Sequence, residues 1–250
     1  MVSTMVALSP AARAESYDQP VADWKQACRD AGHPAWAFAG DGEKPLPVQM
    51  RPLQACQDID GPRADLADQT IELAQQQATK VGDDGPTAHA QLIGAGWGSI
   101  RMRRLGPAMM NFNLAWRFDP GNGEAYHGMA VVLATANQSS EIVDYWFRQA
   151  VDAPRGRPGR FADYGRFLMA ADRPEDARPM LLRNLELEPE NAWSMMYMTD
   201  VHMMASETAE ACAMIDRIQA AAPPPGFPPE QFAKLQADFA ARRLPLNCPE

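Results

Sequence analysis

Aromatic residues, cysteine and histidine are all scarce in this chain, and so are the motifs of common enzymes. Aromatic residues make up 8% of its 250 residues, and it has four cysteines and four histidines. The sequence contains no Gly-x-Ser-x-Gly, no His-Glu-x-x-His and no phosphate-binding Gly-x-x-x-x-Gly-Lys motif. It also lacks an apolar run long enough to span a bilayer. We therefore predict a protein that is not an enzyme, has no cofactor and does not insert into a membrane.

The charge distribution narrows the class of partner. Acidic residues outnumber basic ones by 32 to 23, which gives a formal net charge of −9. The basic runs are short: Arg101, Arg103 and Arg104, then Arg155, Arg157 and Arg160. Binding to nucleic acid or to an anionic membrane surface needs a large basic patch. The composition therefore argues against both partners.

The residues that are abundant favour helices. Hydrophobic residues make up 46% of the chain, and Met occurs 15 times. The alternation of Val, Ile and Thr that is typical of strands is scarce. Such a composition suits helices that pack on helices. We predict an all-α fold.

A pattern of about 34 residues recurs along the middle of the chain. Counted from His89, positions 20, 24, 27 and 32 hold Ala108, Phe112, Ala115 and Pro120. Counted from Ala192, the same positions hold Ala211, Ile215, Ile218 and Pro223. Pro120 and Pro189 are 69 residues apart, which is two periods plus one residue that we place near Asn137–Ser140. This period predicts stacked helical hairpins.

The pattern resembles the tetratricopeptide repeat, whose first helix carries Trp, Leu, Gly and Tyr and whose second carries Ala, Phe, Ala and Pro. Four copies can be placed, at residues 89–122, 123–157, 158–191 and 192–223. Gly96 fills the small position of the first copy, while Ser99 and Asn184 replace the usual Tyr and Ala. The segment from Gly96 to Pro120 also resembles a bacterial exported subgroup. The resemblance implies a right-handed superhelix of about four helical hairpins.

The resemblance also implies where a partner binds, because family members usually hold their ligands against the first helix of each hairpin. The corresponding positions here are Ile93, Trp97, Arg101, His127, Val131, Asp163, Arg166, Met169, Trp193, Met196, Tyr197, Asp200 and Met203. Trp, Tyr and Met supply binding energy at interfaces, and Arg101 and Arg166 are available for a carboxylate. We predict a non-catalytic adaptor that holds a protein or peptide in a concave groove.

Two other interpretations of these positions stay open. A stripe of Met and aromatic residues at helical spacing is also what a packed core looks like. If the ends of the chain fill the groove, the protein is a structural or immunity-type module that acts through an outer surface or as a homodimer. The Met195–Met204 cluster with His202 suggests soft-metal ligands. Because Met195, Met198 and His202 stand at packing positions of the repeat, we predict no metal site.

The N-terminal part of the chain divides into two segments. Residues 1–14 are predicted to be a signal-peptide remnant or a disordered tail, since Ala12-Arg13-Ala14 has the form of a cleavage site. Residues 15–88 are predicted to be a helical extension, with helices near Val21–Ala31 and Pro62–Lys80. Thr87 is a plausible N-cap for the first hairpin.

Four cysteines, Cys28, Cys56, Cys212 and Cys248, allow three pairings. Proximity in sequence favours Cys28 with Cys56 and Cys212 with Cys248, so that each bridge ties a terminal extension to a helix. Residues 224–250 are predicted to form a linker and an amphipathic capping helix at Glu230–Arg243. Disulfides indicate a periplasmic or secreted protein. Four buried free thiols in a cytoplasmic protein are the alternative.

Overall fold

The computed structural model describes residues 32–33, 51–52, 85–223 and 228–248. The predicted helices at Val21–Ala31 and Pro62–Lys80, the segment 1–14 and the Cys28–Cys56 pair lie outside these residues. Over the described ranges the regular secondary structure is helical, with a single isolated bridge between Asn122 and Arg155. The predicted all-α fold is confirmed.

The chain separates into two compact units, residues 1–156 and residues 157–250. The described helices of the first unit are α1 (Gly85–Arg101), α2 (Leu105–Phe118), α3 (Gly123–Thr135) and α4 (Ser140–Asp152). Those of the second unit are α5 (Gly159–Ala170), α6 (Pro174–Leu187), α7 (Ala192–Met204), α8 (Thr208–Ala220), α9 (Pro229–Ala241) and α10 (Arg243–Leu246). Helix α1 begins before Thr87, so the prediction of Thr87 as an N-cap is wrong.

Four hairpin turns are built in the same way, which gives the repeat a direct structural basis. The second residue after each of α1, α3, α5 and α7 has a positive φ angle, of 57°, 54°, 58° and 61° in turn; these residues are Arg103, Asn137, Asp172 and Ser206. In each turn the next amide donates to the carbonyl five residues back, at 2.8–3.1 Å, which closes a Schellman motif. The four residues are 34, 35 and 34 positions apart. The extra residue therefore lies between Asn137 and Asp172, as the spacing of the prolines predicted.

A proline follows the second helix of each hairpin. Helices α2, α4, α6 and α8 end at Phe118, Asp152, Leu187 and Ala220, and the prolines are Pro120, Pro154, Pro189 and Pro223. Proline cannot continue a helix because it lacks the amide hydrogen, and it also disfavours helical backbone in the residue before it. After two of these breaks the next helix begins at an asparagine cap: Asn122 accepts from the Glu124 amide and Asn191 from the Ser194 amide, both at 3.1 Å.

The first unit is held together by aromatic side chains. Helix α1 packs on α2, α2 on α3, and α3 on α4. Phe112, Trp116 and Trp146 are almost wholly buried among these helices. The Tyr126 ring stacks on Trp146 with centroids 6.0 Å apart and meets the edge of Trp116 at 6.4 Å. Offset and edge-to-face pairs of this kind stabilise the fold by more than the burial of their apolar surface alone would do.

Two described pieces of the N-terminal extension contact the first unit. His33 lies against Tyr126, Tyr145 and Trp146, and its Nδ1 is 2.6 Å from the Tyr145 hydroxyl. Burial lowers the pKa of His33 to about 4, because the surrounding rings solvate a charged imidazole poorly. The carbonyl of Arg51 accepts from the Asn113 side chain at 3.0 Å. These contacts attach His33 and Arg51 to the hairpins.

In the second unit a buried asparagine connects the two hairpins. Asn184 on α6 is fully buried, and its Nδ2 donates to the Pro158 carbonyl at 3.1 Å and to Glu188 at 3.2 Å. Its Oδ1 accepts from the Ser194 hydroxyl on α7 at 2.7 Å. The departure from alanine at this position therefore adds a hydrogen-bonded link between the start of one hairpin and the start of the next.

Replacement of Asn184 by alanine is expected to destabilise the protein by about 1–3 kcal/mol, because it leaves the buried Ser194 hydroxyl without its acceptor and removes the Asn184 hydrogen bond to the Pro158 carbonyl. Urea unfolding followed by circular dichroism measures the loss. Ser194→Ala added to Asn184→Ala is expected to recover part of it, since the orphaned hydroxyl is removed. A loss that is the same with and without Ser194 would contradict the proposed link.

The C-terminal segment folds against the last hairpin. Helix α9 packs on α8 and buries Phe232 and Phe239. The Gln236 side chain donates to the carbonyls of Ile218, Gln219 and Ala221 at 2.9–3.2 Å, so that it caps the end of α8. The predicted disulfide between Cys212 and Cys248 is present and closes 36 residues of chain. None of the described helices has both the length and the hydropathy needed to cross a bilayer.

Candidate binding surface

The predicted contact positions of the first unit lie on α1 and α3 and are mostly packed. Ile93, His127 and Val131 expose only 5%, 6% and 8% of their surface. The Trp97 ring is half-buried and meets the rings of Phe112 and His127 at centroid distances of 5.6 and 4.9 Å. Arg101, at the end of α1, is exposed. In this unit most of the predicted contact positions contribute to packing.

The second unit places its predicted contact positions differently. On α7, Trp193 exposes 42% of its surface and Met203 36%, while Met196 and Tyr197 are half-buried. Met204, next to Met203, is also exposed. On α5, Met169 is half-buried and Arg166 is exposed. The sequence positions predicted to contact a partner are thus accessible in this unit.

Helix α7 carries apolar side chains on both sides, and Asp200 lies among them on the accessible side. One face of the helix, formed by Met195, Met198 and Val201, is almost wholly buried against the rest of the unit. A helix that is apolar all round is normally buried all round. Here one apolar face keeps a large aromatic and two thioethers in contact with solvent. We call this surface the α5–α7 wall; it consists of Arg166, Met169, Trp193, Met196, Tyr197, Met203 and Met204.

The charged groups around this wall are paired with one another. Arg166 donates to Asp163, one turn earlier on α5, at 3.1 Å. Asp200 on α7 accepts from Arg242, which follows α9. Burial raises the pKa of Tyr197; the charge of Arg166 opposes this shift, and Asp163 and Asp200 add to it. The Tyr197 hydroxyl is therefore protonated at neutral pH and lies within the field of these groups.

A known structure has a similar fold of helical hairpins. Pseudomonas aeruginosa PilF is 21% identical over 65% of this chain and 73% of its own, with a TM-score of 0.53. The fold is that of the tetratricopeptide repeats. YrrB, described as a tetratricopeptide repeat protein with an unusual peptide-binding site, is 19% identical over 50% of this chain and 64% of its own, with a TM-score of 0.44. No family model matches the sequence, and no curated protein matches it.

Helix α7 uses part of its methionine-rich sequence for packing. Met195 and Met198 are buried in the core, which removes two of the proposed thioether ligands from solvent. His202 Nδ1 is 2.6 Å from a Glu207 carboxylate oxygen, which also accepts from Arg178 at 2.8 Å. Those two hydrogen bonds hold the pKa of Glu207 below its usual range. Among the described residues no group of three or more His, Cys, Asp and Glu is placed to hold an ion.

The sequence did not indicate two of the ionic contacts of the second unit. Arg178 on α6 and Glu207 are 29 residues apart, and Arg242 and Asp200 are 42 apart. Neither pair has the helical spacing that would mark it as a local ion pair. The repeat pattern does not reveal the pair of Arg242 and Asp200 either, since Arg242 lies beyond the last repeat. Only folding brings these groups together.

Proposed function

We propose that the protein binds another protein or a peptide through the α5–α7 wall and performs no chemistry. The observation that carries the proposal is the second apolar face of α7, with Trp193 and Met203 exposed beside Tyr197. Trp and Tyr are enriched among the residues that dominate binding energy, and Met adapts its shape to different partners. The absence of catalytic motifs from the sequence supports the non-catalytic part of the proposal.

The tetratricopeptide fold supports this use of the wall. The resemblance implies that the first helix of each hairpin contacts the ligand. Such a ligand is an extended peptide segment or a helix. The accessible part of that surface lies on α5 and α7, whereas Ile93, His127 and Val131 of the first unit are buried. The proposal therefore places the binding energy on the second unit. The net charge of −9 favours a protein partner over nucleic acid.

Export of the protein is part of the proposal. The Cys212–Cys248 disulfide supports it, because such bonds persist in the periplasm and outside the cell and are rare in a reducing cytoplasm. The sequence Ala12-Arg13-Ala14 agrees with it. We therefore place the partner in the same compartment.

The test removes the exposed side chains of the wall. Trp193→Ala combined with Met203→Ala is expected to weaken binding of the natural partner about 30-fold or more, since the loss of an aromatic anchor costs about 2 kcal/mol or more. The measurement is quantitative mass spectrometry of proteins cross-linked to the purified full chain in its native extract. Isothermal titration with the protein so identified then gives the affinity.

A matched variant controls for exposed apolar surface in general. Leu182→Ala combined with Leu187→Ala removes two α6 side chains that are each 44% exposed and leaves α7 intact. It is expected to bind the partner as the natural protein does. Equal loss in both variants, or no loss in the Trp193 and Met203 variant, would show that the wall is not the binding surface.

A further inference from the structure

We infer that the segment held by the α5–α7 wall is uncharged and binds through apolar side chains, and that it is not an acidic tail or a terminal carboxylate. This inference rests on the proposed function and specifies its ligand. It departs from the expectation that Arg166 is available for a carboxylate. The reasons are the ion pairs at the wall, the charge of the whole chain and the kind of side chain that is left accessible.

The ion pairs make the wall electrically neutral. Arg166 is bonded to Asp163, and Arg242 is bonded to Asp200, so two cations are matched by two carboxylates. A ligand carboxylate that approached Arg166 would replace one carboxylate partner by another and would come close to Asp163. The exchange gains little, because a surface ion pair is itself weak. A cationic ligand has the same difficulty, since Asp163 and Asp200 already have cationic partners.

The charge of the whole molecule acts in the same direction for an acidic ligand. A formal net charge of −9 repels an anionic segment before contact is made. An uncharged segment escapes both the repulsion at long range and the competition with Asp163 at contact. Charge therefore selects against acidic segments. A cationic segment is attracted at long range but meets Asp163 and Asp200 already paired at contact.

The accessible side chains complete the argument. Trp193, Met196, Met203 and Met204 offer apolar surface, and Met can adjust to side chains of different shape. The neutral Tyr197 hydroxyl offers one hydrogen bond of a kind that a peptide carbonyl accepts. Apolar surface with a neutral donor fits the apolar side chains and the backbone of an extended segment.

The test selects peptides from a random 12-residue display library on the full-length oxidised protein. Peptides that also bind the Trp193→Ala and Met203→Ala variant are discarded. The retained peptides are expected to carry several large apolar residues and no excess of Asp, Glu, Lys or Arg. Three synthetic versions of the best peptide, with Ser, Glu or Lys at the flanking positions, are then titrated at low salt and at about 1 M salt, where charges are screened beyond a few ångströms.

The Ser version is expected to bind best, and its affinity is expected to change less than about twofold with salt, since no net charge is neutralised. Asp163→Asn removes the negative charge that is paired with Arg166. In that variant the Glu version is expected to gain about fivefold in affinity at low salt. Asp163 lies on the surface, so this variant is expected to fold normally, as circular dichroism will check.

The outcomes separate the inference from the proposed function. Retained peptides that are acidic, or affinities that fall steeply with salt, would overturn the inference and leave the wall as a binding surface. If no selected peptide requires Trp193 and Met203 for binding, the inference and the proposed function are both wrong. Sedimentation that shows a dimer of the natural protein but a monomer of the Trp193 and Met203 variant would assign the wall to a second copy and would also overturn both.

Discussion

Replacement of Phe112 by alanine is expected to lower the free energy of unfolding by about 3–5 kcal/mol, which is typical of a large aromatic removed from a rigid core. The Phe112 side chain on α2 is wholly buried. Its ring lies against glycines of two other helices, Gly96 on α1 and Gly128 on α3. The ring is so close to both that it leaves no room for a Cβ atom at either position. Urea unfolding monitored by circular dichroism gives the loss directly.

The two glycines provide a stricter test of this packing. A Cβ at position 128 would lie 2.3 Å from the Phe112 ring, so Gly128→Ala alone is expected to destabilise by about 1–3 kcal/mol through overpacking. Added to Phe112→Ala, the same change is expected to cost nothing or to restore stability, because its methyl enters the space that the ring has left. Additive losses in the double variant would contradict this account.

Gly94→Ala is the matched control for the glycine substitution. Gly94 also lies within a helix, and a Cβ there meets nothing within 4 Å. The change is expected to stabilise the protein by up to about 1 kcal/mol, since alanine favours helix over glycine. If Gly94→Ala and Gly128→Ala had the same effect, the contact with Phe112 would not be the cause of the loss at position 128.

Removal of the Cys212–Cys248 bond is expected to destabilise the C-terminal helices relative to the unfolded chain by about 2–4 kcal/mol, because the bond closes a long loop. The double variant Cys212→Ala with Cys248→Ala tests this by thermal and urea unfolding. Phe232, Phe239 and the Gln236 hydrogen bonds remain to hold α9 in the variant. We therefore expect a weakened cap, with α9 still helical in circular dichroism.

Reduction supplies the control for the disulfide. Dithiothreitol is expected to lower the unfolding midpoint of the natural protein more than that of the double alanine variant, in which only the predicted Cys28–Cys56 bond is left to reduce. An equal effect on both proteins would assign the loss to another bond. Non-reducing peptide mapping of protein alkylated inside living cells adds a test of location: free thiols at Cys212 and Cys248 in the cell would contradict the proposed export.

Much of the fold followed from local signals. The proline spacing and the period of 34 residues predicted hairpins, and the structure places the same Schellman turn after α1, α3, α5 and α7. The amphipathic pattern from Glu230 predicted α9, and proximity in sequence predicted the Cys212–Cys248 bond. Each of these features depends on residues close in sequence or on a repeated pattern, so each is visible before the chain folds.

The candidate binding surface could be predicted only in part from the sequence. Val131 and Met203 both stand at positions where a partner was predicted, yet Val131 is 8% exposed and Met203 is 36% exposed. Nothing in the sequence near either residue says which will be covered. Likewise Asn184 stands at a position where the repeat usually has alanine, and its role depends on Pro158 and Ser194, which other helices place beside it.

The sequence by itself determined the helices, their turns and their order, because backbone preferences and the spacing of apolar side chains act within a few residues or one repeat. The tertiary structure alone decided which apolar face stays accessible and which charges meet. Burial and charge pairing depend on what lies nearby in space, as Asp200 and Arg242 do across 42 residues of chain. That proximity exists only once the helices have packed, and it determines the chemistry of the α5–α7 wall.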